Sequence, residues 1–170
     1  MSFRYLELLF PLLVALHNAE EAICLPRWTR RSGPWFGGPW FGGERPVGVQ
    51  PAVFRFAAVV LTALAFVITV LSAVAGRMSF WGNLAFGYMV GMLFNAFVPH
   101  IAVSIAKGTL MPGVVTGAVL NVPILSGLAV LALRQGYVSA HDAVVFSIVV
   151  PLLLLLMIPV LFRLGKVVAL

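Results

Sequence analysis

The residues of this chain best suited to chemistry are His17, Glu20, Glu21, Asn95, His100 and Asn121. Neutral imidazole and carboxylate are ligands for zinc, iron or manganese, and a few such groups with open positions left around the ion form a catalytic set. His17, Glu20 and Glu21 stand at spacings of three and four. On a helix those spacings bring the three side chains onto one face. His17 and His100, with Glu20 or Glu21, would make a set of two histidines and one carboxylate. The other carboxylate would then serve as general base or support the ligands. Asn95 and Asn121 would orient substrate or ligands. A dinuclear iron site in a helix bundle draws on more carboxylates, with Glu-x-x-His pairs from two helices. A single ion is therefore expected.

These residues sit in an unusually apolar chain. Of its 170 residues 62% are hydrophobic and only 9% charged, and the mean hydropathy is +1.08. Soluble domains carry roughly 25% charged residues. So little charge cannot cover a wet surface. The expected fold is all-α: one domain over residues 1–170, a polytopic membrane bundle of about five transmembrane helices. The apolar runs place the spans at about 5–25, 52–75, 80–106, 112–133 and 143–162, each near the roughly 20 residues that cross a bilayer. Inside a bilayer a His/Glu cluster is expensive and marks a functional site by default. The formal charge of +6 does not point to nucleic acid, because the Lys and Arg residues lie at segment ends, where they orient membrane proteins. Cys24 is the single cysteine, so an intrachain disulfide is excluded.

In chain order, Arg4 and the apolar run after it read as a retained first span. Glu7 interrupts the run early, and no small-x-small cleavage pattern precedes His17. Pro11 lies where a kink is tolerable, and Pro26 is expected to stop the span. Glu7 is expected at the opposite interface from Glu21, solvated or paired with headgroups. Residues 27–51 read as an interfacial loop with a tandem repeat, Gly33-Pro34-Trp35-Phe36-Gly37 and Gly38-Pro39-Trp40-Phe41-Gly42. Its Trp and Phe favour the headgroup layer.

In the second span Thr62, Thr69 and Ser72 are expected to bond back to their own helix. Gly87 and Gly91 of the third span form a Gly-x-x-x-Gly face suited to close helix contact inside the bundle. Pro99 frees the Asn95 carbonyl, and a kink there would aim Asn95 and His100 at the same space. Asn121 and Pro123 fall in the middle of the fourth span. Ser139 caps the fifth, and His141 and Asp142 read as its exposed start rather than as site residues.

Charge asymmetry orients the bundle. Arg27, Arg30, Arg31, Arg45, Lys107, Arg163 and Lys166 fall on one side, and Arg4, Arg77 and Arg134 on the other. The first group is expected in the cytoplasm, with the N-terminus outside and the C-terminus inside. The site residues then share one half of the membrane. His17, Glu20, Glu21 and His100 are expected in one layer, with Asn95 and Asn121 in a deeper one.

The motif His17-Asn18-Ala19-Glu20-Glu21 resembles that of the HXXEE domain family of bacterial integral membrane proteins. That family carries an Asn and a His on a later span, matched by Asn95 and His100. Its Tyr-x-Pro-Gly element is similar to Leu110-Met111-Pro112-Gly113, with leucine in place of the tyrosine. The resemblance covers nearly the whole chain and implies a multi-pass protein of the bacterial cell inner membrane. It supports the site residues and names no reaction.

The leading expectation is a metal-dependent enzyme acting on a lipid or isoprenoid reached from within the bilayer. The alternatives are metal-free acid–base chemistry on a lipid (isomerisation or water addition), a small proton-coupled transporter, and a structural or accessory membrane protein.

Overall fold

A computed structural model describes residues 2–32 and 50–168. Five helical segments among the described residues are long and apolar enough to cross a membrane: Phe3–Thr29, Pro51–Ala75, Phe80–Lys107, Val114–Arg134 and Ala140–Val168. They form an all-α bundle, and no strand occurs among the described residues. Large apolar side chains such as Leu12, Ile23, Val74, Ile105, Leu156 and Val167 point outward from several spans. In water such a surface would drive aggregation; in hydrocarbon it is the expected exterior. The protein is a multi-pass membrane protein.

The third span is the hub. It packs against the second, the fourth and the fifth, while the first span lies against the second and the start of the fourth. The core gathers Phe10, Val14, Ala65, Tyr88, Met89 and Leu125, all essentially inaccessible. The Tyr88 hydroxyl donates to the Leu61 carbonyl at 2.9 Å, so the one polar atom of that ring has a partner.

The Gly87–Gly91 face is used inside the bundle, as its spacing predicts. A Cβ on Gly87 would stand 2.5 Å from the Phe146 carbonyl oxygen, and one on Gly91 3.1 Å from Leu154 Cδ1. Apolar chains offer little mutual attraction in lipid, so this close backbone approach provides much of the contact energy. Gly87→Ala is expected to cost about 2 kcal/mol by overpacking. Unfolding of the detergent-solubilised protein checks this, and Gly91→Ala is expected to cost less because its neighbour is the end of a leucine.

Several local expectations change. Pro26 does not end the first helix, which continues from Leu9 to Ser32. The Thr29 hydroxyl donates to the Leu25 carbonyl at 3.0 Å in the turn that follows, the back-bond open to any helical threonine. The connection therefore starts later than residue 27, and the tandem Gly-Pro-Trp-Phe-Gly repeat lies outside the described residues. The break in the first span comes at Glu7 and Leu8 instead, between the helices Phe3–Leu6 and Leu9–Ser32. Pro11 falls in the opening turn of the second of these, where a missing N–H costs nothing.

Glu7 is not solvated. It is 1% exposed, and the Ser72 hydroxyl donates to its Oε2 at 2.9 Å. Ser72 therefore does not bond back to its helix, whereas Thr62 and Thr69 do, each at 2.7 Å. A carboxyl group held among apolar helices is costlier to leave without a donor than a serine hydroxyl is to redirect. At the fifth span the Ser139 hydroxyl accepts the Asp142 N–H at 3.0 Å, and His141 is exposed.

Two wide turns interrupt the spans, both next to a proline. Ala96–Ile101 is π-helical around Pro99, with Val98 bent to φ −107°, ψ 32°. Gly117–Asn121 is π-helical immediately before Val122-Pro123. Each proline removes the amide that a regular turn needs, and the extra residue re-aims the side chains beside it.

Candidate functional site

The site forms where the first, third and fourth spans meet. His17 is on a regular stretch of the first helix, so Glu20 and Glu21 follow on the adjacent turn. The wide turn at Pro99 swings His100 back toward Asn95, and their side chains meet at 3.2 Å (His100 Nε2 to Asn95 Nδ2). The kink expected at Pro99 has this geometry. His17 and His100 are both 0% exposed, their rings 4.7 Å apart and nearly perpendicular at 83°.

His17, Glu21 and His100 each direct one ligand atom to a shared point, all within 4.8 Å of one another. Glu21 Oε1 lies 3.3 Å from His100 Nε2, and Glu21 Oε2 lies 3.9 Å from His17 Nε2. The outer nitrogen of His17 sets its tautomer. His17 Nδ1 lies 3.0 Å from Thr116 Oγ1, whose own proton is taken up by an oxygen of Glu20 or Gly113. Nδ1 is therefore the donor, and the lone pair of His17 is on Nε2. His100 Nδ1 is buried and closes no hydrogen bond. The two N–H groups of the Asn95 amide donate to the two inner nitrogens, at 3.0 Å to His17 Nε2 and 3.2 Å to His100 Nε2. Asn95 thus belongs to the histidine layer itself, not to a deeper one.

Glu20 has a different task. Its Oε1 accepts the Gly113 N–H at 2.8 Å, and its Oε2 accepts the Thr116 N–H at 2.9 Å. These donors open the fourth span, where backbone amides have no partner within the helix. Glu20 supplies the missing acceptors and the negative charge that a helix N-terminus favours. Its side chain ties the first span to the fourth, leaving Glu21 as the carboxylate close enough to both histidines to share an ion with them.

The Pro112-Gly113 pair explains itself at the same place. Gly113 has φ +92°, and a Cβ there would lie 2.5 Å from His100 Cε1. Glycine lets the loop press its backbone onto the imidazole while presenting its N–H to Glu20. Gly117 does the same further along, lying against Ala96 and His17. Asn121, one turn beyond, is 0% exposed, and neither its amide oxygen nor its nitrogen has a protein partner. It is not drawn into the histidine cluster by any direct hydrogen bond. Beyond the site, Leu25, Val103 and Met111 close the end of the bundle with an apolar plug.

Thr116 and Asn18 escaped sequence reasoning. Thr116 holds His17 and caps on Glu20, and no local pattern distinguishes it from a packing threonine. Asn18 donates to Thr62 Oγ1 at 2.8 Å and to the Ala58 carbonyl at 3.2 Å, fixing the first span to the second.

Next to the cluster lies a cavity of about 450 Å³, lined by Glu21, Asn95 and Asn18 and otherwise mainly by apolar residues of the second, third and fifth spans. The histidines lie behind Glu21 and Asn95 and do not line it.

Comparison with known proteins finds a family and a relative of this chain. The family described as "Protein of unknown function with HXXEE motif" matches residues 8–128, which include His17, Glu20, Glu21, Asn95, His100 and Asn121. The chain is 30% identical over 165 residues to the "Uncharacterized protein YrkK" of Bacillus subtilis (strain 168), covering 95% of this chain and 96% of that one. No solved structure matches significantly. With its HXXEE motif intact at residues 17–21 and the match extending over most of its length, the chain belongs to the HXXEE family.

Proposed function

We propose that His17, Glu21 and His100 hold one divalent metal ion, zinc, iron or manganese, and that the protein is a metal-dependent enzyme acting on a lipid or other hydrophobic substrate within the membrane. One observation carries this reading: three lone-pair donors converge in a water-poor interior. An ionised carboxylate 3.3 Å from an imidazole lone pair is repulsive unless a cation lies between them. Two histidines and a carboxylate with open positions suit zinc or non-haem iron. Bound there, the ion would supply Lewis acidity toward a substrate oxygen or water.

The chain's own residues do the rest. Thr116 holds the His17 ring in the tautomer that offers Nε2. Asn95 would release both imidazoles when the ion binds and turn its amide toward substrate. Glu20 keeps the fourth span, and with it Thr116 and Gly113, in register. We place the site in the cytoplasmic half of the cell membrane, because Arg27, Arg31, Arg55, Lys107, Arg163 and Lys166 lie near that end of the spans.

The test is metal analysis of the full chain purified anaerobically in detergent, alongside His17→Ala, His100→Ala and Glu7→Gln. About one ion per chain is expected in the wild type and in Glu7→Gln, and almost none in the two histidine variants. A wild-type protein without metal, or a folded His100→Ala protein that keeps it, would overturn the assignment.

A second reading is favoured by the Asn95 bridge, which already satisfies both inner nitrogens without an ion. In that case Glu21, which lines the cavity, would give its proton to one carbon of a lipid double bond and take one back from the allylic carbon, moving the bond without an ion. A metal-free protein with pH-dependent lipid turnover identifies it.

A further inference from the structure

The cavity beside Glu21 has the dimensions of a hydrocarbon chain. Its volume of about 450 Å³ falls within the ~300–1,000 Å³ of sites that take a small ligand, enough for a hydrocarbon chain. Its walls follow the fifth span from Ser147 to Phe162 and the third from Tyr88 to Pro99. At 1.5 Å per residue these are about 22 and 16 Å, the extent of a chain lying along the bilayer normal.

The mouth faces lipid. Phe94 and Val98 of the third span line the cavity and are 62% and 59% exposed. Ile148, Leu152 and Leu155 form the opposite lip, spaced along one face of the fifth span, and all are more than half exposed. An occupant therefore enters sideways from the hydrocarbon.

A pure hydrocarbon would not complete the site. Glu21 and Asn95 stand in the wall, and a carboxylate or amide facing only methylene is costly in a membrane. They are also the groups that separate the cavity from the two histidines. We infer that the cavity binds a single-chain amphiphile from the bilayer, with its oxygen-bearing head at Glu21 and Asn95 and its tail running toward Tyr88 and Ile148. This deepens the enzyme reading and rests on it only for the fate of the head; binding of the chain does not need the ion.

The experiment uses the full chain in detergent and a photoactivatable long-chain fatty alcohol. Crosslinked peptides are mapped by mass spectrometry, and metal content is measured on the same samples. Labelling is expected to saturate and to concentrate on the peptides around Gly91–Pro99 and Ser147–Leu155. The unlabelled alcohol should compete about 10-fold better than the matching alkane, the value of a hydrogen-bonded head.

Leu152→Trp, at the half-exposed mouth, is expected to cut saturable labelling about 10-fold. Leu156→Trp serves as the control, since Leu156 is 68% exposed and does not line the cavity. Labelling that does not saturate, that spreads over the outer faces of the spans, or that survives Leu152→Trp would overturn the inference. Saturable labelling in a protein without metal would leave this inference standing and remove the metal assignment. Metal without saturable labelling would do the reverse.

Discussion

In the metal-free protein Glu20→Ala is expected to cost about 4 kcal/mol of stability, whereas Glu21→Ala is expected to leave the melting temperature of the metal-free protein unchanged and to abolish the proposed metal binding. The two glutamates are neighbours, yet their oxygens meet different partners. Glu20 accepts the Gly113 and Thr116 amides at 2.8 and 2.9 Å. Removing it strands two donors inside the bundle, each costing about 1–3 kcal/mol. It also unties the start of the fourth span from the first. Glu21 has no backbone donor of this kind; its oxygens face His100 and His17 at 3.3 and 3.9 Å. Truncating it relieves a lone-pair conflict and deletes a ligand. Unfolding in detergent, with metal analysis of each variant, measures both effects. A Glu20→Ala protein as stable as wild type, or a Glu21→Ala protein that keeps its ion, would show that the roles are assigned the wrong way round.

Gly113→Ala is expected to cost about 3 kcal/mol and to lower metal content in whatever fraction folds. The left-handed conformation at φ +92° is strained for alanine by about 1–2 kcal/mol. The added methyl would also lie 2.5 Å from His100 Cε1 and 2.7 Å from His100 Nδ1, and a contact of that kind costs about 1–3 kcal/mol more. The relief available is to push the imidazole aside, which moves Nε2 off the shared point. Gly108→Ala is the matched control: its φ is also positive, at +60°, but a Cβ there meets nothing within 4 Å. Only the backbone strain should appear in that variant, with metal content intact. Equal metal loss in both would mean that the loop's backbone, and not its contact with His100, governs the site.

Fold class was legible because it depends on local properties. A run of apolar residues long enough to cross hydrocarbon must satisfy its own backbone, and a helix does so whatever surrounds it. The shared face of His17, Glu20 and Glu21 follows from helical spacing alone, and the bend beside His100 from the amide that Pro99 lacks. The Gly87–Gly91 face was also legible, since only glycine permits two backbones to come so close.

What surrounds a side chain from other spans was not legible. Glu20 and Glu21 differ by about 100° around the helix, and nothing on their own helix ranks them. The fourth span does so by bringing its first amides to Glu20. Glu7 read as a wet carboxylate because its distance from Glu21 placed it at an interface. The second span, by laying Ser72 against it, turned it into a buried one. Asn95 was expected below the histidines, and the wide turn at Pro99 lifted His100 to meet it. Helix period and chain chemistry are set residue by residue, whereas the partner of a buried polar group is chosen by packing between distant segments. The shared face of His17, Glu20 and Glu21 was therefore readable from a few adjacent residues, and the different partners of its two glutamates existed only once the bundle closed.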